Sequence, residues 1–367
     1  LSMIHEQSLQ RDWFSKPGDS VLSLMERRNL SAVDVSASLD GGIETLRGLV
    51  SGSVRIDGKL ADKLASVLGG TPGFWLRRQS GYEEALERVV SAVVSGHFVE
   101  WLERVPIPGS TGRARMTEGE KRSAVRQRLA FFNVNGPDAW ARRYASTSET
   151  RFRTSNSFSS SEGATTTWLR LGELEASLIQ TGCWDPDALR TLVPEIRTLT
   201  SISQPARFLP RLRAMLGSVG VALSVVRAPD GCRASGAARM LSPTKAMVLM
   251  SFRHRSDDHF WFTLFHELGH LLLHAGATFV DGEGTTADEH EREANEFARD
   301  CIIPASRRAE FEVLRPDRTA VLRFSVSVGI AAGMIVGQMQ HSGMIPYDRL
   351  NTLKRRWNWD DIREALP

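Results

Sequence analysis

Apolar positions between residues 19 and 79 recur at helical spacing, in short runs. Val21, Leu22, Leu24 and Met25 make a first stripe that ends at Asn29. Ser31 caps a second segment in which Val35 and Leu39 fall one turn apart. Asp40-Gly41-Gly42 interrupts the pattern, which resumes from Ile43 to Val50 and stops at Gly52. Leu60, Leu64, Ala65, Val67 and Leu68 form a fourth stripe closed by Gly69-Gly70, and Pro72 opens a fifth carrying Phe74, Trp75 and Leu76. Such a succession of short helices suits a helix-turn-helix module.

Helical periodicity continues through Leu86, Val89, Val90, Val93, Val94 and Trp101. Residues 105–118, with Pro106, Pro108, Gly109 and Gly112, read as a linker. A basic helical stretch bearing Phe131, Phe132, Trp140 and Tyr144 covers 119–145, and the Ser/Thr-rich run at 154–167 reads as a loop. The clear β-type runs are 219–226 and 246–252. The predicted class is therefore α+β and mostly α: an all-α helix-turn-helix module at 16–90, a helical middle at 91–204, a domain with a small sheet at 205–345 and a C-terminal tail at 346–367.

Composition narrows the function classes. Hydrophobic residues at 41% and charged residues at 24% are those of an ordinary globular chain. The formal net charge of +3 is too small for a protein that coats nucleic acid by bulk charge. By segment it is −1 over 1–90, +5 over 91–215 and −1 over 216–367. No apolar run approaches the roughly 18 residues of a membrane span, and no signal-peptide pattern opens the chain. Cys183, Cys232 and Cys301 are odd in number and widely spaced, so a reducing, cytoplasmic location without membrane association is expected.

The candidate chemistry lies in His266-Glu267-Leu268-Gly269-His270, flanked on both sides by apolar residues that call for a buried helix. Histidines at i and i+4 lie on one face with Cβ atoms roughly 5–6 Å apart, close enough to share one ion. Zinc accepts imidazole nitrogen and asks for a further protein ligand in a catalytic site. Glu267 can take the proton of the water that such an ion polarises. An accidental match to this spacing is expected on the order of once in a hundred such chains, so a downstream ligand decides the matter. Residues 289–299 are helical and rich in acids. Glu291, Ala294, Asn295, Ala298 and Ile302 make one stripe, which selects Glu291 as third ligand and Asn295 as the partner of a ligand histidine. Glu293 and Glu296 fall off the stripe and read as solvated acids; His290 is a less favoured ligand. His341 and His254 are candidate donors to a tetrahedral oxyanion, with a surface or structural role as the alternative. His274 reads as structural. The 246–252 run, if an edge strand, could bind extended substrate by strand addition.

These residues resemble the ImmA/IrrE-type zinc metallopeptidases of bacteria. The likeness extends beyond the histidine motif to residues 232–239, 248–252, 258–266, 291–298, 303–304 and 333–341, covering about 205–345. Ala332 stands where the family usually has Pro. The resemblance implies a gluzincin-like fold, a Zn2+ site of His266, His270 and Glu291 with Glu267 as the catalytic carboxylate, and cleavage of a helix-turn-helix repressor under stress or DNA damage.

Residues 19–80 resemble XRE-type helix-turn-helix proteins through residues 52–57, 61–65 and 74–76 with Gln79 and Tyr82, although Asp40-Gly41-Gly42 departs from the usual pattern. The resemblance implies a recognition helix at about 43–51 exposing Glu44, Thr45, Arg47 and Gly48, with Arg55, Lys59 and Lys63 available to the phosphate backbone. Double-stranded DNA is one expected partner, and docking on a protein is the alternative. Arg142, Arg143, Arg151 and Arg153 near the middle aromatics could hold single-stranded nucleic acid as a signal, or form a solvated face over an aromatic core. The overall expectation is a regulatory zinc endopeptidase acting on a repressor or antitoxin-like protein, with self-cleavage at 105–118 or 154–167 as a variant and a homodimer open. The alternative is a DNA-binding transcriptional regulator that uses the peptidase fold as a sensor.

Overall fold

Caps and stop signals fix the first helices. In the computed structural model, which describes residues 15–94, 101–102, 105–107, 116–144, 160–274, 279–280 and 289–366, Pro17 opens α1 (Pro17–Arg27). The Ser31 hydroxyl accepts from the Asp34 N–H at the start of α2 (Ala32–Ser36). α3 (Gly42–Ser51) ends at Gly52, whose φ of 82° is the left-handed conformation that favours glycine. The Asp57 carboxylate caps α4 (Gly58–Leu68), and α5 (Pro72–Val94) follows as one continuous helix. Val21, Met25, Leu46, Leu49, Leu64 and Trp75 close a common core. α1 and α3 approach so closely at Gly18 that a Cβ there would lie 2.2 Å from the Leu49 carbonyl oxygen.

The chain divides into two compact units, one of residues 1–180 with 229–231, the other of 181–228 with 232–367. The helices expected as a separate middle are therefore shared between them. The first unit adds α6 (Glu118–Phe132), α7 (Pro137–Tyr144) and α8 (Ser160–Leu178). α8 takes in the second half of the Ser/Thr-rich run expected as a loop. Thr166 and Thr167 are buried there, and their hydroxyls donate to the Gly163 carbonyl, satisfying polar groups that would otherwise favour a loop. Residues 154–159, like most of the expected linker at 105–118, lie outside the described residues.

In the second unit, α9 (Pro186–Thr198) and α10 (Pro205–Ser218) precede β1 (Val221–Val225), β2 (Gly236–Ser242) and β3 (Lys245–Met250). Then come α11 (Asp257–Leu273), β4 (Phe279–Val280), α12 (Glu289–Ile302), α13 (Arg308–Glu312), α14 (Arg318–Val328), α15 (Ala332–His341) and α16 (Trp359–Arg363). The sheet order is β1-β3-β2-β4, with β1 parallel to β3 and β2 antiparallel to both its neighbours. β3 is thus central. Strand addition by substrate along 246–252 is overturned, because both edges of that strand already pair with β1 and β2. α11 lies against β2 and β3 and buries Trp261, Leu264, Phe265 and Leu268. Among the described residues no single helix is long and apolar enough to cross a membrane.

Residues 354–357, expected as part of a tail, strap the start of α11. The Asp257 N–H donates to the Arg355 carbonyl at 3.0 Å, the Asp257 Oδ1 accepts from the Arg355 N–H at 3.0 Å, and Trp357 N–H donates to the Arg255 carbonyl. Lys354 and Asp258 form a buried ion pair at 2.6 Å. Burial pushes the Asp257 carboxyl from 3.8 up to about 6, with the Asp258 charge adding to the rise against the backbone donors. Below pH 3.8 this group is protonated whether folded or unfolded. As pH rises from 3.8 to 6 the unfolded chain loses its proton first, so stability falls by up to roughly 3 kcal/mol. Asp257→Asn is expected to remove that loss. Urea unfolding of chelator-treated protein at pH 4 and 7 checks it, and an identical pH difference in both proteins would exclude Asp257 as the source.

Candidate metal centre

α11 is apolar nearly all round, as a helix buried between a sheet and other helices must be, and its polar residues gather on one stripe. His266 and His270 sit one turn apart on it, both buried, with their Nε2 atoms 3.0 Å from each other. α12 packs along α11, and Gly269 allows the contact: a Cβ there would fall 3.1 Å from the Phe297 ring and 3.3 Å from the Ala294 Cα. The stripe read from the sequence turns Ala294 and Ala298 inward and brings Glu291 over the histidines. Its carboxylate oxygens lie 3.3 Å from His266 Nε2 and 3.4 Å from His270 Nε2. His266, His270 and Glu291 thus form one group of potential metal ligands.

Hydrogen bonds on the far sides of the rings explain why the electron pairs point inward. Asn295 Oδ1 lies 3.1 Å from His266 Nδ1 and can only accept, which places the proton on Nδ1 and leaves the Nε2 lone pair towards the centre. His270 Nδ1 lies 3.3 Å from His274 Nδ1, and His274 Nε2 lies 2.7 Å from the Glu293 carboxylate. With the His274 proton on Nε2 for that carboxylate, its Nδ1 accepts from His270, and His270 also presents a lone pair inward. Burial lowers the His270 pKa, which favours the neutral ring. Burial works to raise the Glu291 carboxyl, and only positive charge or a donated proton from the rings, or an ion in their place, holds it low, at about 2. Three electron-pair donors facing one another at these distances repel unless a cation lies between them.

Asn295, expected beside a ligand histidine, lies against His266. His274 and Glu293, a structural histidine and a solvated acid by sequence, pair with each other behind His270. The continuation of the i+4 series to His274, with an acid two residues after Glu291, was the available signal. His290 lies tilted against His274, at 4.3 Å between ring centres, and Glu296 pairs with Arg292 at 3.5 Å; neither joins the converging group. Asn295→Ala and His274→Ala are each expected to weaken metal binding about 10–100-fold by freeing the ring they orient. Competition against a chromophoric chelator measures this, and unchanged affinity in both would deny them the role.

Glu267 is fully buried beside β2. A Cβ at Gly236 would lie 2.5 Å from Glu267 Oε1, so the strand leaves room for this carboxylate only because residue 236 has no side chain. His341 is set one ring back, 6.3 Å from Phe262, which itself stacks at 6.3 Å on His266. His254 stacks on His259 at 4.1 Å beyond the start of α11.

The residues considered for DNA contact are all engaged within the first unit. Arg47 bridges Glu44 at 2.7 Å and Glu175 at 3.0 Å, Arg55 pairs with Glu83 at 2.7 Å, and Lys59 with Asp40 at 2.8 Å. The Thr45 hydroxyl donates to the Asp40 carbonyl. Gly48, expected to be exposed, is buried, and a Cβ there would strike Val54 Cγ2 at 2.3 Å. Phe131, Trp140 and Tyr144 lie inside the unit, where Trp140 and Tyr144 pack on Phe132, and Arg143 holds Glu173 at 2.9 Å. Arg151 and Arg153 fall outside the described residues.

The family model described as the IrrE N-terminal-like domain, a metallopeptidase family, matches residues 225–335. The match spans β2, β3, α11 and α12 and so includes every side chain of the converging group. No curated protein is significantly similar to the chain.

Proposed function

We propose that this chain is a zinc-dependent endopeptidase that cleaves a regulatory protein, of the repressor or antitoxin kind, in a cytoplasmic stress or defence response. The observation that carries the reading is the convergence of His266 Nε2, His270 Nε2 and the Glu291 carboxylate, with their outer partners turning both lone pairs inward. Ligand atoms held at about 2.0–2.1 Å from one zinc in a tetrahedron stand roughly 3.3 Å from one another. The separations of 3.0, 3.3 and 3.4 Å suit that ion.

His266, His270 and Glu291 would hold a zinc ion, which would supply Lewis acidity to the scissile carbonyl and to the attacking water. Glu267 takes one proton from that water onto a carboxylate oxygen as the new C–O bond forms. It returns the proton to the amide nitrogen as the C–N bond breaks, so the cycle ends with Glu267 ionised again. The two outer partners hold the histidine rings fixed throughout, and the apolar surroundings of α11 limit competing solvent.

The N-terminal helices α1 to α5 act as a helix-turn-helix-like positioning module. The net charge of −1 over residues 1–90 favours docking on a protein over phosphate contact. Co-expression of the chain with helix-turn-helix proteins encoded beside it, wild type against Glu267→Gln, tests the reading. A truncated partner is expected with the wild type alone. Equal processing by both proteins would sink it.

A further inference from the structure

The last four carbonyls of a helix have no partner within it and carry the negative end of its dipole. At α11 and α12, the two helices that supply the metal ligands, arginines of α9 meet such carbonyls. Arg190 donates from Nη2 to the Leu272 carbonyl of α11 at 2.9 Å. Arg197 donates from Nε to the Cys301 carbonyl at 2.7 Å and from Nη2 to the Ile302 carbonyl at 3.1 Å, both in the last turn of α12. Seven residues apart, the two arginines stand nearly in line on α9, about 10 Å from each other along its axis. Leu189, Val193 and Ile196 bury the adjoining face of that helix. Asp187 steadies Arg190 at 2.9 Å, and burial lowers the Arg197 pKa, its charge being drawn partly out of water to serve the α12 carbonyls.

These bonds act in a direction that the contact between α11 and α12 leaves weak. Gly269, Ala294 and Ala298 set how closely the two helices approach, but small residues offer few projections against a slide along the axis. Hydrogen bonds to helix-end carbonyls do resist one, and those from a guanidinium are charge-assisted and held in a fixed fork. The metal centre is sensitive to such a slide. Glu291 reaches from the first turn of α12 to His266 and His270 on α11, at 3.3 and 3.4 Å. Cys301 lies ten residues further along α12, about 15 Å of helix, so a displacement at Arg197 is carried to Glu291.

We propose that Arg190 and Arg197 are positioning residues for the metal centre, one holding the end of α11 and the other the end of α12, so that α9 sets the axial register in which Glu291 meets both histidines. The inference rests on the metal-binding reading of the centre and not on the identity of any cleaved partner. An arginine at one helix end is by itself an ordinary stabilising contact. Here a single helix spans the ends of both ligand-bearing helices, and Arg197 engages two successive carbonyls of α12, which fixes that helix in rotation as well as along its axis. Arg197→Lys keeps the charge but presents a point donor in place of the planar fork, so it should hold α12 only in part.

The test uses the full-length protein, freed of metal by chelation and reloaded with zinc or with cobalt(II), whose visible spectrum reports the geometry of its ligands. Zinc affinity, read by competition against a chromophoric chelator, is expected to fall about tenfold in Arg190→Ala and in Arg197→Ala, and about threefold in Arg197→Lys. At saturating cobalt both alanine variants should show a visible spectrum shifted from that of the wild type. Ile196→Val trims the buried face of α9 and keeps both arginines. It should lower the unfolding temperature of the metal-free protein and leave zinc affinity and cobalt spectrum those of the wild type. If Arg197→Ala does not fold, Arg190→Ala and Arg197→Lys carry the same readings. Wild-type cobalt spectra in the arginine variants overturn the assignment and leave the metal centre standing, since a merely stabilising contact alters how much protein is folded and not the shape of the loaded site. A shift of the same size in Ile196→Val overturns it too, because any loosening of α9 would then suffice. A wild type that binds neither ion overturns the metal centre, and the inference with it.

Discussion

Glu267→Gln is expected to slow peptide hydrolysis by about 10²–10⁴-fold, with the metal retained and the unfolding temperature the same or higher. The amide has the size of the carboxylate and fits the space left by Gly236, so the packing of α11 on β2 is preserved. It cannot take a proton from water at neutral pH, and that is the one function removed. If Glu267 moves the proton, as proposed, and does not touch the substrate, the loss should fall on kcat and leave KM nearly unchanged. Removing a fully buried charge also relieves a desolvation cost, which is why the variant should not be less stable. Steady-state kinetics on the cleaved partner, with metal content measured on the same preparation, separates these effects. A loss of less than tenfold would assign the proton to another group.

Loss of a ligand is the second large effect. His270→Ala removes one of the three converging atoms and also the ring that His274 and Glu293 orient. Its metal affinity should fall by more than the roughly 10–100-fold expected for either supporting residue. The consequence for stability follows from linkage. An ion at a thousand times its Kd adds about 4 kcal/mol to the folded state, which is about 8–16 °C for a unit of this size. Chelation of the wild type should lower its unfolding temperature by that order, and the variant should show no metal-dependent shift. A wild type indifferent to chelation would mean that the three side chains hold no ion.

The helices of the first unit were legible because their caps are local: Ser31, Asp57 and Gly52 each act within a few residues. Glu291 could be singled out because α12 is amphipathic, with one small-residue stripe able to approach α11. What escaped depends on partners distant in sequence. β2 begins Gly-Ala-Ala, poor strand formers, and is a strand because β3 and β4 pair with it on either side. The central position of β3 is equally invisible, since a run of apolar residues is the same whether one or both of its edges are paired. His274 and Glu293 lie 19 residues apart, and only the packing of two helices makes them partners. The strap at 354–357 has no periodicity of its own and is ordered by backbone bonds to the start of α11.

The absence of a side chain at position 236 bears on how relatives of this chain should be sorted. Serine or valine there would be accommodated only by moving the Glu267 carboxylate or the strand, yet the histidine motif would be untouched. A lineage can therefore lose its chemistry while its signature stays intact and its fold is conserved. Surveys that sort active from inactive relatives by the five-residue motif alone would count such chains as enzymes. A glycine thirty-one positions upstream of Glu267 belongs in the same diagnostic, as the residue whose missing atom leaves room for the motif to work.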